Sequence, residues 1–292
     1  MLPAIHLKKV IDFNKNFRSL LEVLKLMAVS EYHNMEKKLV TFDRLNELLA
    51  EFFQSVDLSR IQHPLIDPGN RPLGVVAVTS DTGLLGGINN QVVSRALDFV
   101  LRSGGKLIVI GERGGLYAQA AGVSFTQYPG IVDAKRYLQA CEIRDYLMDG
   151  VTRGEFGGIK VVYPKAHSFV IHRVEVVTMV PFVLPEALQG TPNAPAGTAA
   201  SSKSQMPGTI FETTPADLVE YLVFLVMGRQ LYEIFGQARL CEQAARYLHL
   251  EESCNKIGEM NKKLLLQYFR RRHEVIDANM RELFSARSIY AD

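Results

Sequence analysis

The chain has 292 residues, 47% apolar and 22% charged, values close to those of ordinary globular proteins, which excludes wholesale disorder and collagen-like structure. Lys+Arg is 33 against Asp+Glu 31, a formal net charge of +2, so the global basic field of a nucleic-acid coat is absent and no nucleic-acid partner is expected. Three cysteines without CxxC spacing exclude a disulfide scaffold and a zinc ribbon and fit a cytosolic chain. The longest apolar run worth testing, Leu222 to Met227, is too short to cross a bilayer, and the N-terminus carries no apolar export segment, so no direct membrane insertion is expected.

From Pro3 to Pro64 the chain holds no proline, and no glycine precedes Gly69, so nothing need break a helix. Val10, Phe13, Phe17, Leu20, Leu24 and Met27 alternate at spacings of about three and four, and Phe42, Leu45, Leu49, Phe52 and Val56 resume the rhythm. This row predicts the seam of a coiled coil, with residues 1–60 as its N-terminal helix. A charge placed at Leu20 is expected to break it.

From Pro72 to Phe182 the pattern changes. Leu73 to Thr79 is a short apolar run, glycines follow, a helical pattern occupies Asn89 to Arg102, and Leu107 to Ile110 is a second apolar run. Strand, helix and strand in that order predict a βαβ unit. Asp133 to Asp149 reads as a further helix, and the β-branched runs Ile159 to Tyr163 and Val174 to Val180 read as an antiparallel hairpin flanked by exposed His167 and His172. Residues 70–212 are therefore expected to form a small Rossmann-like α/β domain. Within it, residues 184–207, rich in Pro, Ala, Gly and Ser, lack the large apolar side chains needed to pack and predict a flexible loop.

After Pro215 there is again no proline, which predicts one long helix over residues 213–292, its start suited to a proline. Leu231, Ile234, Ala238, Cys241, Ala245 and Leu248 form a heptad-like stripe that resumes through Cys254, Ile257, Leu264 and Tyr268. At about 1.5 Å per residue such a helix runs roughly 110 Å, far beyond the roughly 40 Å width of an α/β domain of this size. The fold class expected is thus α/β, with an antiparallel coiled coil of the N- and C-terminal helices projecting from the small domain and the longer helix outrunning its partner.

Chemistry-bearing motifs are few. Ser80 to Asn89, SDTGLLGGIN, follows a strand and opens a helix, a place where phosphates bind, but it lacks both the GxGxxG spacing and the GK[ST] ending. A tight turn is the preferred reading, as it is for Gly111, Gly114 and Gly115. His273, Glu274 and Asp277 read HExxD without a third ligand and beside three arginines, so no metal is expected. Cys241 and Cys254, about 20 Å apart on one helix, cannot form a disulfide and read as small seam residues. Arg270, Arg271 and Arg272 fan around their helix, so at least one must face any partner.

Three blocks give the chain a resemblance to the gamma subunit of F-type ATP synthases. Val23 to Glu31 resembles the hydrophobic pattern of the family's AMKMVAAxK stretch, Ser80 to Asn89 its SxDRGLCGGxN turn, and Cys241 to Arg246 (CEQAAR) with Tyr268 to Ile276 its SEQAAR and YNxxRQxxIT blocks. Ile210, Phe211, Glu212 and Pro215 echo its IFEPxP segment. The resemblance implies a non-catalytic central-stalk rotor, without cofactor or metal, that couples ion translocation through a membrane ring to ATP synthesis or hydrolysis on partner subunits. It implies as partners the alpha and beta subunits of the catalytic ring, an epsilon-like subunit and the membrane c-ring, and a peripheral location on the cytoplasmic side of the inner (plasma) membrane. It also implies partner contacts at Lys25, Met27, Arg270, Arg271, Arg272, His273 and Asp277, the last two standing where the family has glutamine and threonine. The rival readings are a nucleotide-binding Rossmann-like enzyme and a passive coiled-coil scaffold.

Overall fold

The computed structural model describes residues 4–38, 63–66, 71–182 and 214–289, with the single positions 42, 45, 48 and 69. The expected loop 184–207, the seam positions Leu49, Phe52 and Val56, and the segment Ile210 to Glu212 lie outside the described residues. Two compact units divide the chain: Met1–Glu31 with Arg246–Asp292, and Tyr32–Ala245. The helices α1 (Ala4–Lys37) and α5 (Pro215–Ile289, 75 residues) each contribute to both.

The larger unit, the head, is built on a five-stranded sheet in the order β3-β2-β1-β4-β5. Its strands are β1 (Leu73–Val78), β2 (Lys106–Ile110), β3 (Phe125–Tyr128), β4 (Gly158–Ala166) and β5 (His172–Val180). Its helices are α2 (Ile88–Ser103), α3 (Glu112–Ala120) and α4 (Arg136–Thr152), the last preceded by one 3₁₀ turn. β1, β2, β3 and β4 run parallel, and β5 returns antiparallel on β4 with Tyr163 opposite Glu175, the expected hairpin.

The unbroken apolar sequences of β1 and β2, LGVVAV and KLIVI, follow from burial on both faces. Alternate residues go to opposite layers. Val75, Ala77, Leu107 and Val109 pack with Val92, Val93, Ala96 and Val100 of α2. Val76, Val78, Ile108 and Ile110 pack on the other face with Ile143 and Leu147 of α4 and with Leu231 and Phe235 of α5. The C-terminal stripe predicted at Leu231, Ile234, Ala238, Cys241, Ala245 and Leu248 is buried as far as Ala245, and Leu248 is half-buried.

The glycines after β2 depart from expectation. Gly111 does make the turn, with φ 104°, but Gly114 and Gly115 lie inside α3, a helix that nine residues with two glycines conceal from pattern reading. Their role is steric: a Cβ on Gly114 would fall 2.2 Å from Thr79 Oγ1 and 2.7 Å from Val109, so only glycine lets α3 lie this close to the sheet. His172 also departs. It is half-buried, its Nδ1 has no hydrogen-bond partner, and burial pushes its pKa down, whereas His167 is exposed and pairs with Glu175 at 3.0 Å.

Candidate partner interface

In the smaller unit α1 and α5 pair antiparallel. Asn14 Nδ2 donates to Asn261 Oδ1 at 3.1 Å, and Lys25 Nζ meets Glu251 Oε2 at 2.6 Å. Leu21 packs with Leu250, Cys254 and Ile257, and Asn261 Nδ2 also reaches the Ile11 carbonyl. On α1 the buried row is Leu7, Ile11, Asn14, Leu21 and Ala28. This corrects the expected seam by one position. The row Phe13, Phe17, Leu20 and Met27 faces outward, Phe13 66% and Leu20 54% exposed, with the Phe13 and Phe17 rings stacked at 6.0 Å. The physical reason is pairing: Asn14 and Lys25 lower the apolar score of the true seam while being satisfied across it, so the more apolar neighbouring row imitates a seam. Val10 and Leu24 are only half-buried.

Towards its far end α5 continues past the described residues of α1. Successive pairs hold a near-constant sum of residue numbers, which sets Ala4, the first described residue of α1, opposite the region of Arg271. Every described side chain from Arg272 to Ser285 is exposed. Leu266, Phe269, Ile276, Met280 and Leu283 recur at heptad-like steps along this bare segment, all of them large, apolar and exposed, with His273 occupying the intervening place in the row. Beyond the seam's last buried member, Asn261, the expected positions Leu264 and Tyr268 are half-buried.

The residues singled out from sequence fall in two places. Lys25 belongs to the seam: its ammonium lies 5.9 Å from the Tyr247 ring centre and donates to Glu251, and that hydrogen bond raises its pKa. Met27 is the exposed last member of the outward row. Arg270, Arg272, His273 and Asp277 are exposed on α5, and Arg271 is engaged with Glu274 one turn on. Among the described residues no group of His, Cys, Asp and Glu could hold a metal ion.

In the head, the turn Ser80 to Asn89 is filled by its own side chains. Asp81 Oδ1 accepts from the backbone N–H of Glu112 at 2.8 Å and of Gly130 at 3.0 Å, so a carboxylate already occupies the start of α3. Asn89 Nδ2 donates to Ser80 Oγ at 2.8 Å, and Thr82 Oγ1 donates to Glu242 Oε1 at 2.8 Å. Glu242 also holds Arg239, which reaches Asp133 at 3.4 Å, and Gln243 beside it is 1% exposed. The adjoining cleft encloses about 10 Å³, space for a water and not for a nucleotide. The turn and the CEQAAR stretch, remote in sequence, are therefore two halves of one buried polar junction. Sequence reading found both blocks and missed that they meet, because neither carries a periodic signal.

Comparison with known proteins agrees with this architecture. The family model described as ATP synthase matches residues 5–288. The ATP synthase gamma chain of Desulforudis audaxviator is 23% identical over 288 residues, covering 97% of both chains. That of Synechococcus sp. is 24% identical over 300 residues, covering 92% of this chain and 93% of its own. Among solved structures, a chain of the Euglena gracilis mitochondrial ATP synthase OSCP/F1/c-ring assembly superposes with a TM-score of 0.65 at 13% identity, covering 98% of this chain and 93% of its own. A chain of the Tetrahymena thermophila mitochondrial ATP synthase central stalk and c-ring superposes with a TM-score of 0.59 at 16% identity, covering 80% of this chain and 99% of its own. With a family match over nearly the full length and relatives of the same span, the chain belongs to the ATP synthase family, among its gamma chains.

Proposed function

We propose that this chain is the central-stalk rotor subunit of an F-type ATP synthase, a non-catalytic shaft that couples ion translocation through a membrane c-ring to ATP synthesis or hydrolysis on the alpha and beta subunits around it. The observation that carries the reading is the outward apolar row Phe13, Phe17, Leu20 and Met27 beside a seam that is already satisfied. Contiguous exposed apolar surface of this kind marks a protein interface. The bare end of α5 supplies a second such row and, in Arg270, Arg272 and His273, donors able to meet a carboxylate-bearing loop of a surrounding beta subunit, with Asp277 beside them as an acceptor for that subunit's donors. Lys25 supports the site by holding the coil together, and Met27 extends the row. Catalysis is assigned to the partners, since the turn that most resembles a phosphate site lacks the GxGxxG spacing and the GK[ST] ending, and Asn89 at the start of α2 is bonded back to Ser80. An epsilon-like subunit and the c-ring are the partners proposed for the head. No described helix is long and apolar enough to cross a membrane. The location proposed with this role is peripheral, on the cytoplasmic side of the inner (plasma) membrane.

Coexpression with the cognate alpha and beta subunits tests the reading. A stable complex with ATPase activity is expected, and Phe13→Ser combined with Leu20→Ser should impair assembly or coupling while the free subunit melts as before. A chain that fails to copurify with alpha and beta, or a double variant that assembles and couples normally, would refute it.

A further inference from the structure

A groove of about 670 Å³ lies in the head between α4 and the first half of the head's portion of α5. It rests on head geometry alone and is independent of the rotor reading. Its walls are aromatic, formed by Phe42, Tyr137, Tyr221, Phe224 and Tyr232, and its volume is that of a small-molecule site. Tyr137 and Tyr221 are exposed at its mouth, presenting ring surface to an incoming group.

Two guanidinium groups, Arg144 and Arg229, line it, and a third, Arg136, is held on Tyr232 of its wall. Arg144 lies across α5 at Gly228, where a Cβ would come within 3.0 Å of its Nη1, and its Cζ sits 3.5 Å from the Phe224 ring centre. Arg136 stacks 4.2 Å from the Tyr232 ring centre and donates to the Tyr232 hydroxyl at 2.6 Å. The Arg229 side chain is only 8% exposed and bonds Glu233 at 2.8 Å. Asp145 pairs with Arg144, so among the described residues two carboxylates answer three guanidiniums. The Nε–H groups of Arg136 and Arg229 are both buried without an acceptor. An unsatisfied buried donor is costly, and charged donors most of all.

We propose that this groove binds a planar aromatic anion, its ring stacked among the tyrosine and phenylalanine side chains and its acid group taken by the Arg229 guanidinium. Flat rings suit walls on which guanidiniums already lie flat, and an acid group supplies both the missing charge and the missing acceptor.

Two fluorescent probes of one shape separate the charge from the apolar body: anilinonaphthalene sulfonate and the neutral phenylnaphthylamine, each titrated into the full-length chain. One saturable site is expected, with the sulfonate bound about tenfold more tightly, a difference near 1.4 kcal/mol. Arg229→Gln should erase that preference and leave the neutral probe unchanged. Tyr137→Ser, at an exposed position that folding does not depend on, should weaken both probes severalfold. Equal affinity for the two probes, non-saturable binding, or affinities indifferent to Tyr137→Ser would overturn the proposal, and so would a folded Arg229→Gln chain that still prefers the sulfonate.

Discussion

The head and the coil bury side chains on different terms. In the head, both faces of β1 and β2 close over apolar residues alone, and the buried polar groups gather at one junction around Ser80 and Glu242. In the coil, polar pairs interrupt the seam at Asn14–Asn261 and Lys25–Glu251, and a second apolar row of α1, Phe13, Phe17 and Leu20, stands outside it. Polar pairs in a seam fix register and orientation at a cost in stability. The head is thus organised to be stable by itself, and the coil to hold one alignment while offering its apolar surface elsewhere.

Core truncation should expose this difference most strongly. Phe235→Ala, in the fully buried layer between sheet and α5, should cost about 3 to 5 kcal/mol and lower the main thermal transition. Leu21→Asp should cost about 2 to 4 kcal/mol and act first on the coil, read as faster amide exchange in α1 with the head still protected. Leu20→Asp, one residue away on the outward row, should change stability by no more than about 0.5 kcal/mol. If Leu20→Asp proves as damaging as Leu21→Asp, the seam has been assigned to the wrong row.

A finer test concerns the asparagine pair. Asn14→Leu alone leaves Asn261 Oδ1 buried without the donor it has in Asn14 and should cost about 1 to 3 kcal/mol in coil protection. Adding Asn261→Leu should restore most of that loss and loosen the alignment of the helices, measurable as altered cross-linking between cysteines placed along them. A double variant no more stable than the single one would show that the pair does more than satisfy itself.

The smallest effect is a pH dependence confined to the head. Burial holds the His172 pKa below its ordinary value of 6.5, so as pH falls through that value the unfolded chain takes up the proton before the folded one. Head stability should therefore decline from about pH 6.5 downward until the folded histidine also titrates, and His172→Gln should flatten the slope over that window. Glu175 acts in the same direction. Despite desolvation its pKa is lowered by Lys165, Tyr163 and His167, and the stability this lends is lost as the carboxylate is protonated at still lower pH.

What the sequence made legible follows from which signals are local. The apolar runs of β1 and β2, the helical period of α2 and the proline-free length of α5 each declare themselves within a few turns, and each was readable. Short α3 is hidden by Gly114 and Gly115, whose meaning lies in the side chains they admit: Thr79, just past β1, and Val109 of β2 at Gly114, and Gln127 of β3 at Gly115. The α1 seam was read one row away, because hydrophobicity counts Phe13 and Phe17 and cannot count the satisfaction of Asn14 by Asn261. The motif blocks at Ser80 and Glu242 could be recognised singly, whereas their hydrogen bond joins side chains 160 positions apart.

That hydrogen bond bears on how force passes through the head. Apolar packing between a helix and a sheet resists separation, but it offers little opposition to sliding or to rotation of the helix about its own axis, since neighbouring contacts replace those lost. The chain of Thr82, Glu242, Arg239 and Asp133 is directional: turning α5 by even part of a residue's arc draws donors away from acceptors on both the β1–α2 turn and the segment before α4. It works as a key in a keyway: the Glu242 carboxylate at its centre is buried, so drawing Thr82 or Arg239 away from it is costly, and a twist applied to the helix is passed on to the turn it holds.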